Sequence, residues 1–96
     1  WERMCALASY DNVGVDLAAI CALFLGEEYP FPGSLDMLNR FIDRYGDDKV
    51  IWGSDIPGSL NSATYREMMD MFEKHSGLSE QSKNKLFYEN ALKAYF

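Results

Sequence analysis

The sequence predicts an α/β fold in which two short strands, set between helices, pair in parallel. Three observations carry this. Val13-Gly14-Val15-Asp16-Leu17 places apolar residues at alternate positions, the pattern of a strand. Lys49-Val50-Ile51-Trp52 is a short apolar run of the kind that is buried on both faces. Between them, Leu35, Leu38, Phe41, Ile42 and Tyr45 recur at helical spacing. Strands separated by a helix of that length pair through a right-handed crossover, and so run parallel.

The elements follow in order. Trp1, Met4, Cys5, Leu7 and Ala8 are close to helical spacing, so residues 1–9 read as the last turns of a helix. Tyr10-Asp11-Asn12 turns the chain into the first strand. Ala18 to Leu25 is apolar throughout and fits a short helix, and Glu27 to Gly33 is a loop because Pro30 and Pro32 exclude a regular element. Ser34 is the expected N-cap of the next helix, with Asp36 in its first turn and Gly46 as its stop. Asp47-Asp48 turns the chain into the second strand, which Gly53 to Gly58 ends. Asn61 or Ser62 is expected to open a helix with Tyr65, Met68, Met69 and Phe72 as its buried stripe, stopped at Gly77. Ser79 is expected to cap a last helix with Leu86, Phe87, Asn90, Ala91, Ala94 and Tyr95 along one side.

Composition narrows the function classes. The chain has 96 residues, 48% of them hydrophobic and 15% aromatic, which is a globular composition. Its net charge of −6 repels a phosphate backbone and argues against nucleic acid as a partner. No apolar run approaches the roughly 18–20 residues of a membrane span, so no membrane partner is expected. Nothing at the start reads as a signal peptide, and the cytoplasm is the expected compartment. Cys5 and Cys21 form no C-x-x-C motif and read as buried small hydrophobes.

One segment carries chemistry. In Val50-Ile51-Trp52-Gly53-Ser54-Asp55-Ile56-Pro57-Gly58, a buried parallel strand ends in Gly-Ser-Asp. Ligands of α/β folds bind beyond the carboxyl ends of the strands, where Asp55 stands. A carboxylate there can ligate a metal or take a proton from an activated water. The plainer reading is that Asp55 caps the turn or the following helix. Ser54 can hydrogen-bond within the turn, and lacks the nearby base a nucleophile needs. Asp16 can face the same end, or by alternation point elsewhere. Glu27, Glu28 and Tyr29 stand in a loop of the kind that contributes substrate or subunit contacts, or is simply solvated, and receive no role. Met68, Met69 and Met71 read as helix packing, and Asn90 as a tie between the last helix and neighbouring backbone.

These residues resemble a family. Trp52-Gly53-Ser54-Asp55-Ile56-Pro57-Gly58 is similar to the last-strand signature of the amidohydrolase-related proteins. That is the branch of the metal-dependent amidohydrolase superfamily that also contains aminocarboxymuconate-semialdehyde decarboxylase. Tyr10-Asp11-Asn12-Val13-Gly14-Val15-Asp16-Leu17 resembles the family's penultimate strand. Leu78-Ser79-Glu80, followed by Asn90-Ala91 and Tyr95, resembles its closing helix. The resemblance covers essentially the whole chain.

The resemblance implies the C-terminal portion of a (β/α)8 TIM barrel, with residues 1–96 as a single segment and not a complete domain. It implies a metal-dependent parent enzyme acting on a small molecule, with Asp55 as metal ligand or general acid/base and a divalent metal, zinc, as cofactor. The activity that the resemblance implies is hydrolysis of a C–N or C–O bond. The alternatives are non-oxidative decarboxylation, or a non-catalytic barrel remnant that serves as an interaction module. The family's metal-binding histidines have no counterpart here. The one histidine, His75, falls in the last turn of a helix, where it suits the helix dipole better than a metal. The chain alone is therefore expected to be inactive and to bind no metal tightly. Two parallel strands also leave open edges and an exposed Val50-Ile51-Trp52 strand, so the expected partner is the missing part of the barrel or a second copy. The absence of an initiator methionine at Trp1 fits a closing segment of a longer chain.

Overall fold

The computed structural model describes residues 2–24 and 26–96, without the Met4 side chain. The readings made on Trp1, on Leu25 and on Met4 as a packing residue lie outside what is described. Strand β1 (Val15–Asp16) and strand β2 (Val50–Ile51) pair in parallel, with Val15 opposite Val50 and Asp16 opposite Ile51. The pairing is as the crossover spacing requires, but each strand is shorter than its apolar run. Lys49 belongs to a 3₁₀ turn, Asp47–Lys49, and its ammonium is spent on the Tyr10 and Val13 carbonyls. Beyond the ladder, Leu17 still donates to Ile51 O at 2.8 Å.

Helix α1 (Glu2–Leu7) precedes β1. The apolar segment after β1 forms a single 3₁₀ turn, Ile20–Ala22, in place of the expected short helix. Helix α2 (Pro32–Tyr45) starts two residues earlier than its expected cap. Pro32 takes the first helical position, where its missing N–H is no loss. Ser34 is therefore inside the helix and fully buried, not its N-cap, and Asp36 lies past the first turn, ion-paired with Arg40. Leu35, Leu38 and Phe41 form the buried stripe, with Ile42 and Tyr45 packed against it. Gly46 ends the helix at φ 89°, a conformation that glycine adopts without strain.

Helix α3 (Tyr65–His75) opens at Thr64, not at Asn61 or Ser62. Asn61 is used in a 3₁₀ turn, Gly58–Asn61, while Thr64 and Glu67 satisfy each other's backbone amides in a capping box. Met68, Met71 and Phe72 are buried, and Met69 is half-buried. Tyr65 is 52% exposed, because at the first helical position its ring meets Trp52 edge-on, at 6.1 Å, and does not enter the core. Ser79 caps helix α4 (Glu80–Asn84) as expected. A π turn over Lys85–Glu89 joins α4 to α5 (Asn90–Tyr95). Leu86 and Asn90 are buried on its inner side, but Ala94 and Tyr95 are exposed. Cys5 and Cys21 are free and buried, as small hydrophobes are.

The expectation that the second strand lies open is overturned. Val50 is completely buried, and Ile51 and Trp52 are half-buried. The helix after Ser79 lies along the strand: Phe87 packs on Trp52 and Phe72, and Asn90 Nδ2 reaches Val50 O at 2.8 Å. The register puts Val15 and Val50 on the face that meets the core, and Asp16 and Ile51 on the other.

Candidate functional site

Because β1 and β2 are parallel, their carboxyl ends lie on the same side of the sheet, and the segments that leave them form one rim. Asp16 ends β1. Its Oδ1 accepts the Ala18 N–H at 2.9 Å and rests over Gly53, 2.6 Å from where a Cβ would stand. Asp16 thus points along the sheet face that carries Ile51 and Gly53.

The turn after β2 divides its duties among neighbouring residues. Ser54 Oγ accepts the Ile56 N–H at 3.3 Å, so the expected turn bond is present. The Asp55 main-chain carbonyl accepts the Ser59 N–H at 2.9 Å. Thr64 caps α3. The Asp55 carboxylate is left over: among the described residues no hydrogen bond or ion pair engages it, and it is exposed above Gly58, where a Cβ would lie 3.4 Å from Oδ2. Asp55 also sits at φ 54°, in the left-handed region that few residues other than glycine enter, with aspartate among the tolerated ones. The reading of Asp55 as a cap thus loses its basis, since other residues perform both capping tasks.

Cys21 and Ser59 lie buried beside this turn. Burial pushes the Cys21 thiol above its ordinary value. The Ser59 hydroxyl and the backbone pull it back in part, and the charges of Asp55 and Glu67 raise it further. A neutral thiol is a small apolar group here and not a nucleophile. Apolar side chains edge the rim: Leu23 and Phe24 on the β1 side, Ile56 and Leu60 on the β2 side. An apolar groove of about 220 Å³ runs from Asp16 past Leu17 and Leu23 to Met37 and Phe41.

One residue of this rim escaped the sequence reading. Glu27 accepts Gly33 N–H at 2.7 Å and Ser34 N–H at 3.1 Å, and also receives the Ser34 hydroxyl at 3.2 Å. It caps α2 from outside the helix and ties the rim loop to it. An acidic residue five positions before a proline-initiated helix is the one available signal, and it is a weak one.

The whole chain, residues 1–96, matches the sequence model of the family described as Amidohydrolase. The chain belongs to the amidohydrolase family. Neither a curated protein nor a solved structure matches it. Amidohydrolases typically bind divalent metals, so the donor set of this chain decides what it can contribute. Among the described residues no group of three or more His, Cys, Asp or Glu side chains can hold a metal ion. His75 stands in the last turn of α3, exposed, with Nε2 3.0 Å from the Tyr29 hydroxyl. A usual zinc site takes three or four protein ligands. The described residues therefore bring no complete zinc ligand set together. Nor is any helix among the described residues long and apolar enough to cross a membrane.

Proposed function

We propose that this amidohydrolase chain is the closing part of a (β/α)8 barrel that hydrolyses a C–N or C–O bond of a small molecule, with Asp55 as its contribution to catalysis. The observation that carries the reading is the Asp55 carboxylate: it stands at the carboxyl end of a parallel strand, relieved of every capping duty by Ser54 and Thr64. In the complete enzyme, a divalent metal held mainly by residues outside this segment, zinc in this reading, supplies Lewis-acid polarisation of the substrate. The Asp55 carboxylate takes the proton from an attacking water. The water oxygen bonds to the substrate carbon, and the proton passes to the leaving nitrogen or oxygen as its bond to carbon breaks.

A second reading, non-oxidative decarboxylation, draws support from the likeness of Trp52–Gly58 and Tyr10–Leu17 to the decarboxylase-containing branch. The strand end serves either chemistry, since both need an acid/base group beside the substrate. The remaining strands of the barrel are the proposed partner. Among the described residues the outer edge of β1 carries no backbone hydrogen bond at Gly14 or Asp16, so it is free to receive one of them.

The test uses the full-length protein with Asp55→Asn and Asp55→Ala. A panel of amides, lactones and carboxylic acids separates hydrolysis from carbon dioxide release. Loss of general acid/base catalysis lowers turnover by about 10²–10⁴-fold. Unchanged turnover together with unchanged metal content removes Asp55 from the site.

A further inference from the structure

In a parallel ladder, alternate residues turn their N–H and C=O groups to opposite neighbours. Ile51 faces β1, since its carbonyl receives Leu17 N–H. Val50 and Trp52 therefore present theirs to the other edge of β2, where a further strand would bind. Both residues are engaged there by something that is not a strand. Val50 O accepts Asn90 Nδ2 at 2.8 Å, and Trp52 N–H donates to Leu86 O at 2.9 Å.

The π turn explains how a helix can spare a carbonyl for this. In an unbroken α-helix the Asn90 amide would bond to Leu86 O. Here it bonds to Lys85 O, five residues back. That withdraws the usual partner of Leu86 O and leaves the carbonyl free to reach outward. The same residue, Asn90, then uses its side chain on Val50 O and, at 2.7 Å, on Asp47 O. Two separate contacts, one from the helix backbone and one from a buried side chain, so occupy the edge.

We infer that residues 80–95 act as an edge strap: they occupy the hydrogen-bonding groups of β2 that a further strand would use, and β2 accepts another strand only when the strap lets go. The sheet is then extensible at β1 and gated at β2. Closure of a barrel through β2 requires Trp52 N–H to leave Leu86 O, which makes the helix after Ser79 a conformational control on assembly.

Amide hydrogen exchange on the protein tests this. Two substitutions loosen the helix without touching β2: Ser79→Ala removes the cap that receives Ser82 N–H, and Lys93→Gly weakens the exposed side of α5. Each is expected to speed exchange of the helix amides about fivefold. If the strap holds the edge, Trp52 N–H accelerates by the same factor in both variants, while Leu17 N–H, bonded to the other side of β2, keeps its rate. A Trp52 rate unchanged in both variants overturns the proposal, because the amide is then held by a strand and not by the helix. Equal acceleration of Trp52 and Leu17 overturns it as well, since that reports opening of the whole sheet.

Discussion

The carboxylate of Asp16 occupies the space in which residue 53 would carry its side chain. Oδ1 lies 2.6 Å from the site of a Cβ on Gly53 and is fixed there by the Ala18 N–H. The glycine of the Gly-Ser-Asp turn is thus required by its neighbour strand and not by its own backbone angles.

Replacing Gly53 by alanine forces the Asp16 carboxylate off Ala18. The expected cost is about 1–3 kcal/mol, as for overpacking at other tight sites. Asp16→Ala in the same chain frees the space, so the double variant should recover part of the loss. Urea denaturation of the four proteins of this cycle measures the coupling. Additive losses would show that Ala18, whose Cβ lies 3.3 Å from the same point, is the true obstacle.

Glu27 holds α2 through two backbone amides and a buried hydroxyl. Removal of an N-terminal capping group typically costs about 0.5–2 kcal/mol, and Glu27→Ala should fall in the upper part of that range because Ser34 is left buried. Glu27→Gln keeps one acceptor oxygen and should cost less. Thermal melts of both variants check the order. A Gln variant as unstable as the Ala variant would mean that the negative charge, and not the hydrogen bonding, stabilises the helix start.

What the sequence makes legible follows from where the information is local. The strands, the stripe Leu35–Leu38–Phe41, the stop at Gly46 and the cap at Ser79 are set by residues close together in the chain, and all are present in the structure. Asp55 is legible for the same reason: its place is fixed by the strand just before it. Glu27 and the π turn are not legible. Glu27 acts across six and seven residues, and the π turn exists because Asn90 and Leu86 meet a strand about forty positions earlier. The opening of α3 falls at Thr64 and not at Asn61 or Ser62 because all three are good caps, and only Thr64 has Glu67 three residues on to complete the box. Whether Val50 is exposed also depended on tertiary packing, since an apolar strand alone does not say which helix will cover it.

At the opposite end of β2 from Asp55, a charged cluster sets a pH dependence. The Ser82 hydroxyl, and after it Lys85, holds the Asp47 carboxyl below its usual 3.8, and Asp47 and then Asp48 hold the Lys85 ammonium above its usual 10.5. A depressed carboxyl stabilises the fold above its unfolded value, and the contribution is lost as pH falls through the lower folded value. A raised ammonium stabilises below 10.5, and its contribution is lost as pH rises through the higher folded value. The cluster therefore contributes in full across the neutral range. Asp47→Asn should lower the melting temperature at pH 7 and converge on the parent protein in strong acid. A constant difference at all pH values would assign the effect to packing around Asn90 and not to charge.

Asn90 should be the costliest of these positions to change. Its side-chain amide donates to Asp47 O and Val50 O, and it is 4% exposed. Asn90→Ala takes this donor away from the buried Val50 carbonyl and from the part-buried Asp47 carbonyl. At about 1–3 kcal/mol for each buried group left unsatisfied, a loss of about 2–4 kcal/mol is expected in urea. Asn90→Asp sharpens the point, because it keeps the shape and replaces the donor with a second acceptor. An ionised carboxylate facing two carbonyls is repelled, so at pH 7 the Asp variant should be less stable than the Ala variant. As pH falls the carboxyl takes up a proton and can donate to one carbonyl, and the order should reverse in mild acid. If the two variants keep one order from pH 7 to pH 4, the side chain of residue 90 acts by volume, and the hydrogen bonds to β2 are incidental.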